Sequence, residues 1–391
     1  MFLDYTPEQQ ALRAELREYF RTLLTPEIRA TLGGTNEDSH VFRDVVRQMG
    51  RDGWLGLGWP KEYGGQGRST VEQYILFDEV QRAGAPFPFV TINTVGPTIA
   101  RFGTEEQKRT YLPGILSGDI IFAIGYTEPE AGTDLASLTT RAVLDGDEWV
   151  ITGNKVFTSG ANQADYIWLA CRTDPDAPKH RGISIIIVPT SSPGYHCTPI
   201  TTSGITYTNA TYYQEVRVPQ SHVVGGVNEG WTLITAQLRH ERVGLAAFGG
   251  RTEQLWSDVR DWCRDTPAGE GRVIDQEWVR RDLAETYVRL EAMRLLNWKL
   301  AVLADGDTPT ADAASVAKVF GTETHDLVCR TLLGTVGALA TRRPGAPHAP
   351  LDGRLEALTR GSYINTFGGG TNEVLRDMIA VTGLGMPRGG R

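Results

Sequence analysis

The sequence is poor in the residues that usually build metal and disulfide sites. It has four cysteines in 391 residues, and no two of them form a Cys-x-x-Cys pair. Its seven histidines show no His-Glu-x-x-His or comparable ligand spacing. Scattered thiols without such spacing are typical of a reduced compartment. We therefore expect neither a disulfide framework nor a metal site.

Long apolar runs and an excess of basic residues are also missing. No apolar run approaches the ~20 residues that cross a bilayer. The N-terminal stretch, MFLDYTPEQQALRAELREYF, lacks the apolar core of a secretory signal and the acid-poor, Arg- and Ser-rich character of a transit peptide. The net charge of −8 disfavours nucleic acid as a partner, because binding a polyanion requires a concentrated basic surface. We expect a cytoplasmic protein without a membrane span.

Hydrophobic periodicity divides the chain into three parts. Apolar residues recur every three or four positions from residue 5 to about 120, which predicts helices. Short β-branched and aromatic segments then predict a sheet, and the helical period returns after VGGVNEGW. Two breaks in this last part, RDTPAGEGR and TRRPGAPHAPLDG, are interpreted as loops. The pattern predicts an α+β fold with a helical domain (1–120), a β-sheet domain (121–228) and a second helical domain (229–391).

Two segments of the predicted sheet region carry groups suited to a ligand, the first to a polar ligand and the second to a planar cofactor. GYTEPEAGTDLASLTT follows a strand and places the hydroxyls of Thr127 and Thr133 in a loop. ITGNKVFTSG ends another strand with Phe157, Thr158 and Ser159. An aromatic ring can pack on a planar cofactor while neighbouring hydroxyl and amide groups meet its heteroatoms. Taken alone, the first segment is also consistent with an ordinary polar loop.

Six motifs, in this order and spacing, resemble the acyl-CoA dehydrogenase family. They are GTEEQKRTYLPGILSGD, YTEPEAGTDLASLTTRA, VITGNKVFTSGANQAD, VRVPQSHVVGGVNEGW, RHERVGLA and GGGTNEVLRDMIAVTGLGMPR. The resemblance covers essentially the whole chain. It implies an FAD-dependent oxidation of an acyl-CoA, a helical N-terminal domain, a middle β domain and a C-terminal four-helix bundle. It also implies a tetramer, with electron-transfer flavoprotein as the electron acceptor.

The resemblance further implies which residues surround FAD. Those expected around the flavin ring are Tyr126, Thr127, Thr133, Phe157, Thr158 and Ser159. Those expected near the diphosphate are Gly370, Thr371 and Glu373. Close approach of the cofactor to the backbone would explain part of the glycine run 368–370. Thr133 also matches a position that touches the pantetheine part of the thioester, so we expect it to bind substrate as well.

Dehydrogenation of a thioester requires a base that removes the α-proton, and a carboxylate with a raised pKa suits this role. Many family members carry that glutamate directly before the Gly-Thr of the last motif, where this chain has Gly369. Glu241 offers an alternative, because it falls inside an apolar stripe of a predicted helix. The stripe consists of Ile234, Leu238, Leu245 and Phe248.

Some relatives carry their base at the position that matches Glu241, so the resemblance implies Glu241 as the catalytic residue. Arg242 is then expected to order the helix or to bind substrate. A structural ion pair between Glu241 and Arg242 is the alternative interpretation.

Two family motifs that complete the neighbouring subunit's FAD site are missing. Arg-x-x-Phe-Gly and Gln-x-x-Gly-Gly are replaced by DWCRDTPAGEGRVIDQ and RTLLGTVGALA. The chain resembles the base-bearing subunit of α2β2 acyl-CoA dehydrogenases of actinobacterial steroid side-chain degradation. We therefore expect a second, related chain and a bulky acyl-CoA such as a steroid side chain. A homotetramer or homodimer is the alternative assembly.

Three other functions stay open at this point. The chain could desaturate another CoA- or carrier-protein-bound thioester in a biosynthetic route, serve as a non-catalytic partner subunit, or act as a flavin monooxygenase on the same fold. The Thr-Glu-Pro and Phe-Thr-Ser segments together with Glu241 disfavour the non-catalytic subunit. A monooxygenase would have little use for Glu241 as an α-proton base.

Overall fold

A computed structural model describes residues 4–33, 40–204, 208–245, 248–306 and 311–388. Within these ranges the side chains are described except for those of residues 238–245, 248, 305, 306 and 311. No helix of the described ranges is both long and apolar enough to cross a membrane.

The described residues of the N-terminal part form six α-helices, as the periodicity predicts. They are α1 (Pro7–Leu23), α2 (Pro26–Gly33), α3 (His40–Arg51), α4 (Thr70–Ala83), α5 (Gly96–Phe102) and α6 (Glu105–Ser117). Helices α1, α4 and α6 each begin with a capping box, in which Thr6, Ser69 and Thr104 accept from a backbone N–H three residues on. A π-helical turn, Thr91–Val95, leads directly into α5.

An eight-stranded sheet follows. Its strands are β1 (Phe122–Gly125), β2 (Arg141–Asp145), β3 (Glu148–Lys155), β4 (Tyr166–Arg172), β5 (Ile183–Pro189), β6 (Tyr195–Ile200), β7 (Thr208–Pro219) and β8 (Val223–Val224). The spatial order is β6-β7-β3-β2-β4-β5-β8, and β1 pairs parallel to β4. The ends of β1 and β3 carry the two segments predicted to hold the cofactor.

The C-terminal part is helical again. It contains α7 (Gly230–Leu245), α8 (Phe248–Asp265), α9 (Glu277–Gly306), α10 (Ala311–Val336), α11 (Arg354–Ser362) and α12 (Asn372–Met378). The predicted loop RDTPAGEGR is partly wrong, because it contains a hairpin of β9 (Pro267–Ala268) and β10 (Gly271–Arg272). Strands of two residues are too short to produce a period in the sequence.

One apolar core joins the N-terminal helices, one face of the sheet and α7. Leu16 and Ile75 of the helices, Trp168 and Ile185 of the sheet, and Ile234 of α7 are all buried in it. Helix α7 also contacts β5 and the π-helical turn. This packing places α7 beside the sheet and close to the end of β1.

Candidate active site

The structure brings the two strand-end segments together. β1 ends at Gly125, directly before Tyr126 and Thr127, and β3 ends at Lys155, just before Phe157. The backbone N–H of Val156 donates to the carbonyl of Thr127 at 2.9 Å. The two segments that carry most of the residues predicted around the flavin ring are therefore adjacent in the structure.

A buried ion pair holds the first segment against the second. Lys155 Nζ donates to Glu128 Oε1 at 2.8 Å and to the carbonyl of Tyr126 at 3.0 Å. The Glu128 carboxylate also accepts from the backbone N–H groups of Thr139 and Thr140 at 2.7 and 2.8 Å. Burial raises the pKa of Glu128, but Lys155 and these hydrogen bonds outweigh it and lower the pKa to about 2. Glu128 therefore stays ionised at neutral pH.

Phe157 presents an aromatic ring from a strained backbone. Its φ of 59° lies in the left-handed region, which bulky side chains rarely adopt, and its side chain is 63% exposed. Such strain persists where neighbouring contacts determine the conformation. Here Thr158 N donates to Asn209 O at 2.9 Å, and the buried Thr158 hydroxyl lies 3.4 Å from the Thr211 hydroxyl.

Ser159 and Thr133 differ in how firmly they are held. The Ser159 hydroxyl lies 3.1 Å from that of Thr208 on β7. Thr133 is exposed on the loop between Glu128 and β2. Thr133 is therefore accessible to a ligand from solvent, which suits the substrate contact predicted for it.

Tyr126 links the first segment to α7. Its hydroxyl donates to Gln237 Oε1, which also accepts from Trp168 Nε1 at 3.1 Å. Gln237 and Trp168 are fully buried. The predicted base, Glu241, lies one turn further along α7. The side chains of Glu241 and Arg242 lie outside the described residues, so their predicted roles stay predictions.

The C-terminal glycine turn is held by α10. Gly369 and Gly370 have φ values of 67° and 100°, which glycine adopts without strain. The buried Lys318 of α10 donates to the carbonyl of Gly370 and to Asn372 Oδ1, both at 2.8 Å. Thr371 caps α12 by accepting from Val374 N at 3.3 Å.

The strand-end segments fit a flavin. The aromatic side chain of Phe157 is exposed, and backbone hydrogen bonds join Val156 to Thr127 and Ser159 to Phe157, so an aromatic ring and two hydroxyl-bearing residues come from connected backbone. At the glycine turn, a Cβ added to Gly370 would meet nothing closer than Leu375 Cδ2 at 3.7 Å. The backbone there is open to close approach, as a diphosphate would need. Glu373 is exposed.

Sequence reasoning missed the residues that hold these segments, namely Glu128, Lys155, Trp168, Gln237 and Lys318. Gln237 could have been found, because it lies beside Leu238 and one turn before Glu241 on the same predicted apolar stripe. Lys155 gives a weaker signal, because its partner Glu128 is 27 residues away in the chain.

Three family models match the chain in order. They are the acyl-CoA dehydrogenase N-terminal domain over residues 6–119, the middle domain over residues 123–216 and the C-terminal domain over residues 228–384. Together they cover most of the chain, so the expected order of helical, β and helical parts is confirmed.

Individual relatives match over the full length. The chain is 51% identical to acyl-CoA dehydrogenase FadE26 of Mycobacterium tuberculosis, with 100% of both chains covered. Among solved structures it is similar to the Tcur3481-Tcur3483 steroid ACAD (62% identity, TM-score 0.95, 100% of both chains). It is also similar to the ChsE4-ChsE5 complex from Mycobacterium tuberculosis (52% identity, TM-score 0.94, 100% of both chains). The chain belongs to the acyl-CoA dehydrogenase family, whose members are flavin-dependent oxidoreductases.

Proposed function

We propose that this acyl-CoA dehydrogenase oxidises the α,β bond of a bulky acyl-CoA whose acyl group is a steroid side chain. The observation that carries the proposal is the 62% identity, over the whole chain, to a chain of a steroid ACAD. The side-chain-free turn 368–370 supports it, because glycine at 369 leaves room where many family members place the catalytic glutamate. Electron-transfer flavoprotein is the proposed acceptor.

The proposed base is Glu241 on α7. The carboxylate would take the α-proton as the thioester is oxidised, and Arg242 would order the helix or meet the substrate. Tyr126, Thr127, Thr133, Phe157, Thr158 and Ser159 are the proposed flavin-ring contacts, with Gly370, Thr371 and Glu373 near the diphosphate. FAD bound there supplies the acceptor for the β-hydride. The buried pair Lys155–Glu128 keeps the first two segments in register, so that the ring contacts are fixed before the cofactor arrives.

The proposed assembly contains a second acyl-CoA dehydrogenase-like chain. Two features support it. The motifs that reach a neighbour's FAD are missing from this sequence, and the similar ChsE4-ChsE5 structure is a complex. In the proposed α2β2 assembly this chain supplies Glu241 and the partner completes the cofactor pocket.

Expression with and without a related chain tests the proposal. We expect full flavin occupancy and turnover only in the co-expressed complex, with higher kcat/KM for a steroid side-chain acyl-CoA than for a straight-chain acyl-CoA of equal carbon number. Flavin is quantified by absorbance per protein, and turnover by reduction of an artificial electron acceptor. A flavin-saturated, active homotetramer would reject the heteromer, and a preference for straight chains would reject the steroid substrate.

The base is tested by Glu241→Gln. This substitution retains the shape of the side chain but removes the proton acceptor, so we expect kcat to fall by about 10²–10⁴-fold with flavin content unchanged. Glu229→Gln is the matched control, because Glu229 is exposed directly before α7. Stopped-flow measurement of flavin reduction under anaerobic conditions gives the rate of substrate oxidation, the step that requires the base. Unchanged reduction in the Glu241 variant would contradict the assignment and favour the ion-pair interpretation.

A further inference from the structure

Gln237 carries a buried hydrogen-bond donor that has no partner. Its side chain is fully buried on α7, and its Oε1 accepts from Trp168 Nε1 and from the Tyr126 hydroxyl. An indole N–H can only donate, and that of Trp168 lies 3.1 Å from both Gln237 Oε1 and the Tyr126 hydroxyl. Because Oε1 faces both of these groups, we assign this end of the amide as the oxygen. Nε2 therefore points away from Trp168, and it finds no hydrogen-bond partner in the part of the chain that the structure describes.

An unpaired buried donor is costly and needs an explanation. Native structures pair most buried polar groups, because a buried donor without an acceptor has lost its hydrogen bond to water and gained none in return. The amide oxygen is explained by the two donors that it accepts from, Trp168 and Tyr126, but the amide nitrogen is not. The nitrogen is better explained by an acceptor that arrives with a ligand.

The location of Gln237 indicates which ligand. Through Tyr126 it contacts the first proposed flavin segment, and it lies one turn before Glu241 on α7. Helix α7 also packs against the π-helical turn, whose Thr94 Oγ1 is a second buried atom without a partner among the described residues. Such π-turns are frequent at functional sites. Both unpaired atoms thus lie on elements that meet beside the proposed cofactor segments and the helix of the proposed base.

We propose that Gln237 Nε2 donates a hydrogen bond to an oxygen of the bound acyl-CoA, and that it thereby selects among thioesters. The oxygen is either the thioester carbonyl or a carbonyl or hydroxyl on the acyl group, since both offer the same acceptor chemistry at about 3 Å from a nitrogen donor. This assignment rests on the proposed function. A buried donor built into a site discriminates against ligands that lack the matching acceptor, because the donor is then left unpaired.

Two pairs of ligands that are not oxidised further test the assignment. The first pair is a 2-enoyl-CoA and the corresponding thioether without the carbonyl. The second is two polycyclic 2-enoyl-CoAs that differ by one ketone on the acyl group. Dissociation constants are measured from flavin absorbance changes on the flavin-loaded enzyme, isolated with any partner chain that it requires.

We expect Gln237→Met to weaken binding of the oxygen-bearing member of one pair about tenfold, the loss of one ordinary hydrogen bond. Binding of the member that lacks the oxygen should not change. The affected pair identifies the acceptor. If wild type and variant discriminate equally within both pairs, the amide meets only water or protein, and the assignment is wrong.

Two further variants keep the test independent of folding. Tyr126→Phe removes a partner of Gln237 Oε1 but leaves Nε2, so it should change the dissociation constants of both members of a pair by the same factor.

Gln237→Glu keeps the acceptor for Trp168, and only its protonated form can donate. For this variant the preference for the oxygen-bearing ligand should fall as the pH rises through the carboxyl pKa. A preference that does not change with pH would overturn the assignment.

Failure of the inference and failure of the proposed function give different results. Wild-type enzyme that neither binds 2-enoyl-CoA nor has its flavin reduced by any acyl-CoA would reject the proposed function and the inference with it. Wild-type enzyme that turns over normally, while Gln237→Met discriminates as wild type does, would reject the inference alone.

Discussion

At the scale of single residues, the pair Lys155–Glu128 determines how the proposed cofactor segments meet. Both side chains are buried, and together they bind the carbonyl of Tyr126 and the backbone N–H groups of Thr139 and Thr140. A buried ion pair adds stability only when its remaining hydrogen-bonding capacity is satisfied, which is the case for Glu128. We therefore infer that this pair keeps the loop ordered and does not take part in the reaction.

The low pKa of Glu128 predicts a specific acid dependence of stability. Its pKa falls from an ordinary 4.5 to about 2 on folding, so the folded state favours the ionised form. The stability that this ionisation contributes is present above pH 4.5 and is lost as the pH falls towards 2. A shift of this size corresponds to roughly 3 kcal/mol. In the wild type the free energy of unfolding should decrease as Glu128 is protonated, and in Glu128→Gln this contribution to the decrease should be absent. Urea unfolding between pH 5 and about 2 measures the difference.

Glu130→Gln is the matched control for that experiment, since Glu130 lies on the same loop and is exposed. It should follow the wild-type pH dependence within about 0.5 kcal/mol, as most surface substitutions do. An identical pH dependence in wild type and in Glu128→Gln would show that the carboxylate gains nothing from Lys155 in the folded protein.

At the scale of elements, a buried charge cluster joins α1, α4 and α8. Asp78 and Glu79 of α4 are buried and face Arg13 and Arg17 of α1, Arg82 of α4 and Glu253 of α8. Helices α4 and α8 approach so closely that a Cβ at Gly250 would lie 2.3 Å from the Asp78 carbonyl. The cluster therefore lies where the N-terminal and C-terminal helices meet.

Asp78→Asn is predicted to stabilise the protein at neutral pH and above. Burial, opposed by Arg82 but reinforced by Glu253 and Glu79, raises the pKa of Asp78 from 3.8 to about 6. A raised carboxyl pKa contributes stability below pH 3.8 that is lost as the pH rises through 6. Asparagine resembles the protonated form, so the free energy of unfolding at pH 8 should increase by up to about 3 kcal/mol. Urea unfolding at pH 4, 6 and 8 measures this difference.

Glu18→Gln provides the control, because Glu18 pairs with Arg21 on the exposed face of α1. That substitution should leave the stability close to that of the wild type at each pH, as most surface substitutions do. Loss of stability in Asp78→Asn at all three pH values would instead mean that the ionised carboxylate holds the cluster together.

Elements of ordinary length could be predicted from the sequence, but short and irregular ones could not. The apolar period predicted helices between residues 5 and 120, where α1 and α4 lie, and the β-branched segments that follow predicted strands, where β3 and β5 lie. These elements are long enough to repeat the pattern of buried residues several times. The π-helical turn and the hairpin of β9 and β10 are too short to show a period. The predicted domain boundaries fall between α6 and β1 and between β8 and α7, and they stay predictions.

The candidate site was predictable only where residues follow one another in the chain. Phe157, Thr158 and Ser159 are adjacent, so a motif displays them together. Gln237 and Tyr126 meet only after α7 has packed against the sheet, and their separation of 111 residues hides the contact. A polar residue on an otherwise apolar face of a predicted helix, such as Gln237, is the sequence signal that indicates a buried contact of this kind.

At the scale of the whole molecule, α9 carries an apolar stripe that the described part of the chain leaves exposed. Val288, Leu295 and Val302 recur at intervals of seven residues, which places them on one face of the helix. Val288 is 66% exposed and Val302 is 53% exposed. The opposite face packs into the helical core through Leu283, Leu290 and Met293. A stripe of this kind along a long helix is typical of a surface that another chain covers.

We predict that the second chain of the proposed complex covers this stripe. Replacing Val288 and Val302 by lysine would put two charges into the interface, so association should weaken by at least about 100-fold, or 2.8 kcal/mol. Flavin content should fall in parallel, because in the proposed assembly the partner completes the cofactor pocket. Native mass spectrometry and flavin absorbance of the co-expressed chains measure both effects.

Val143→Lys is the control, since Val143 is an equally apolar residue of β2 with 57% exposure. If the double variant assembles and retains flavin as the control does, the partner binds elsewhere on the molecule.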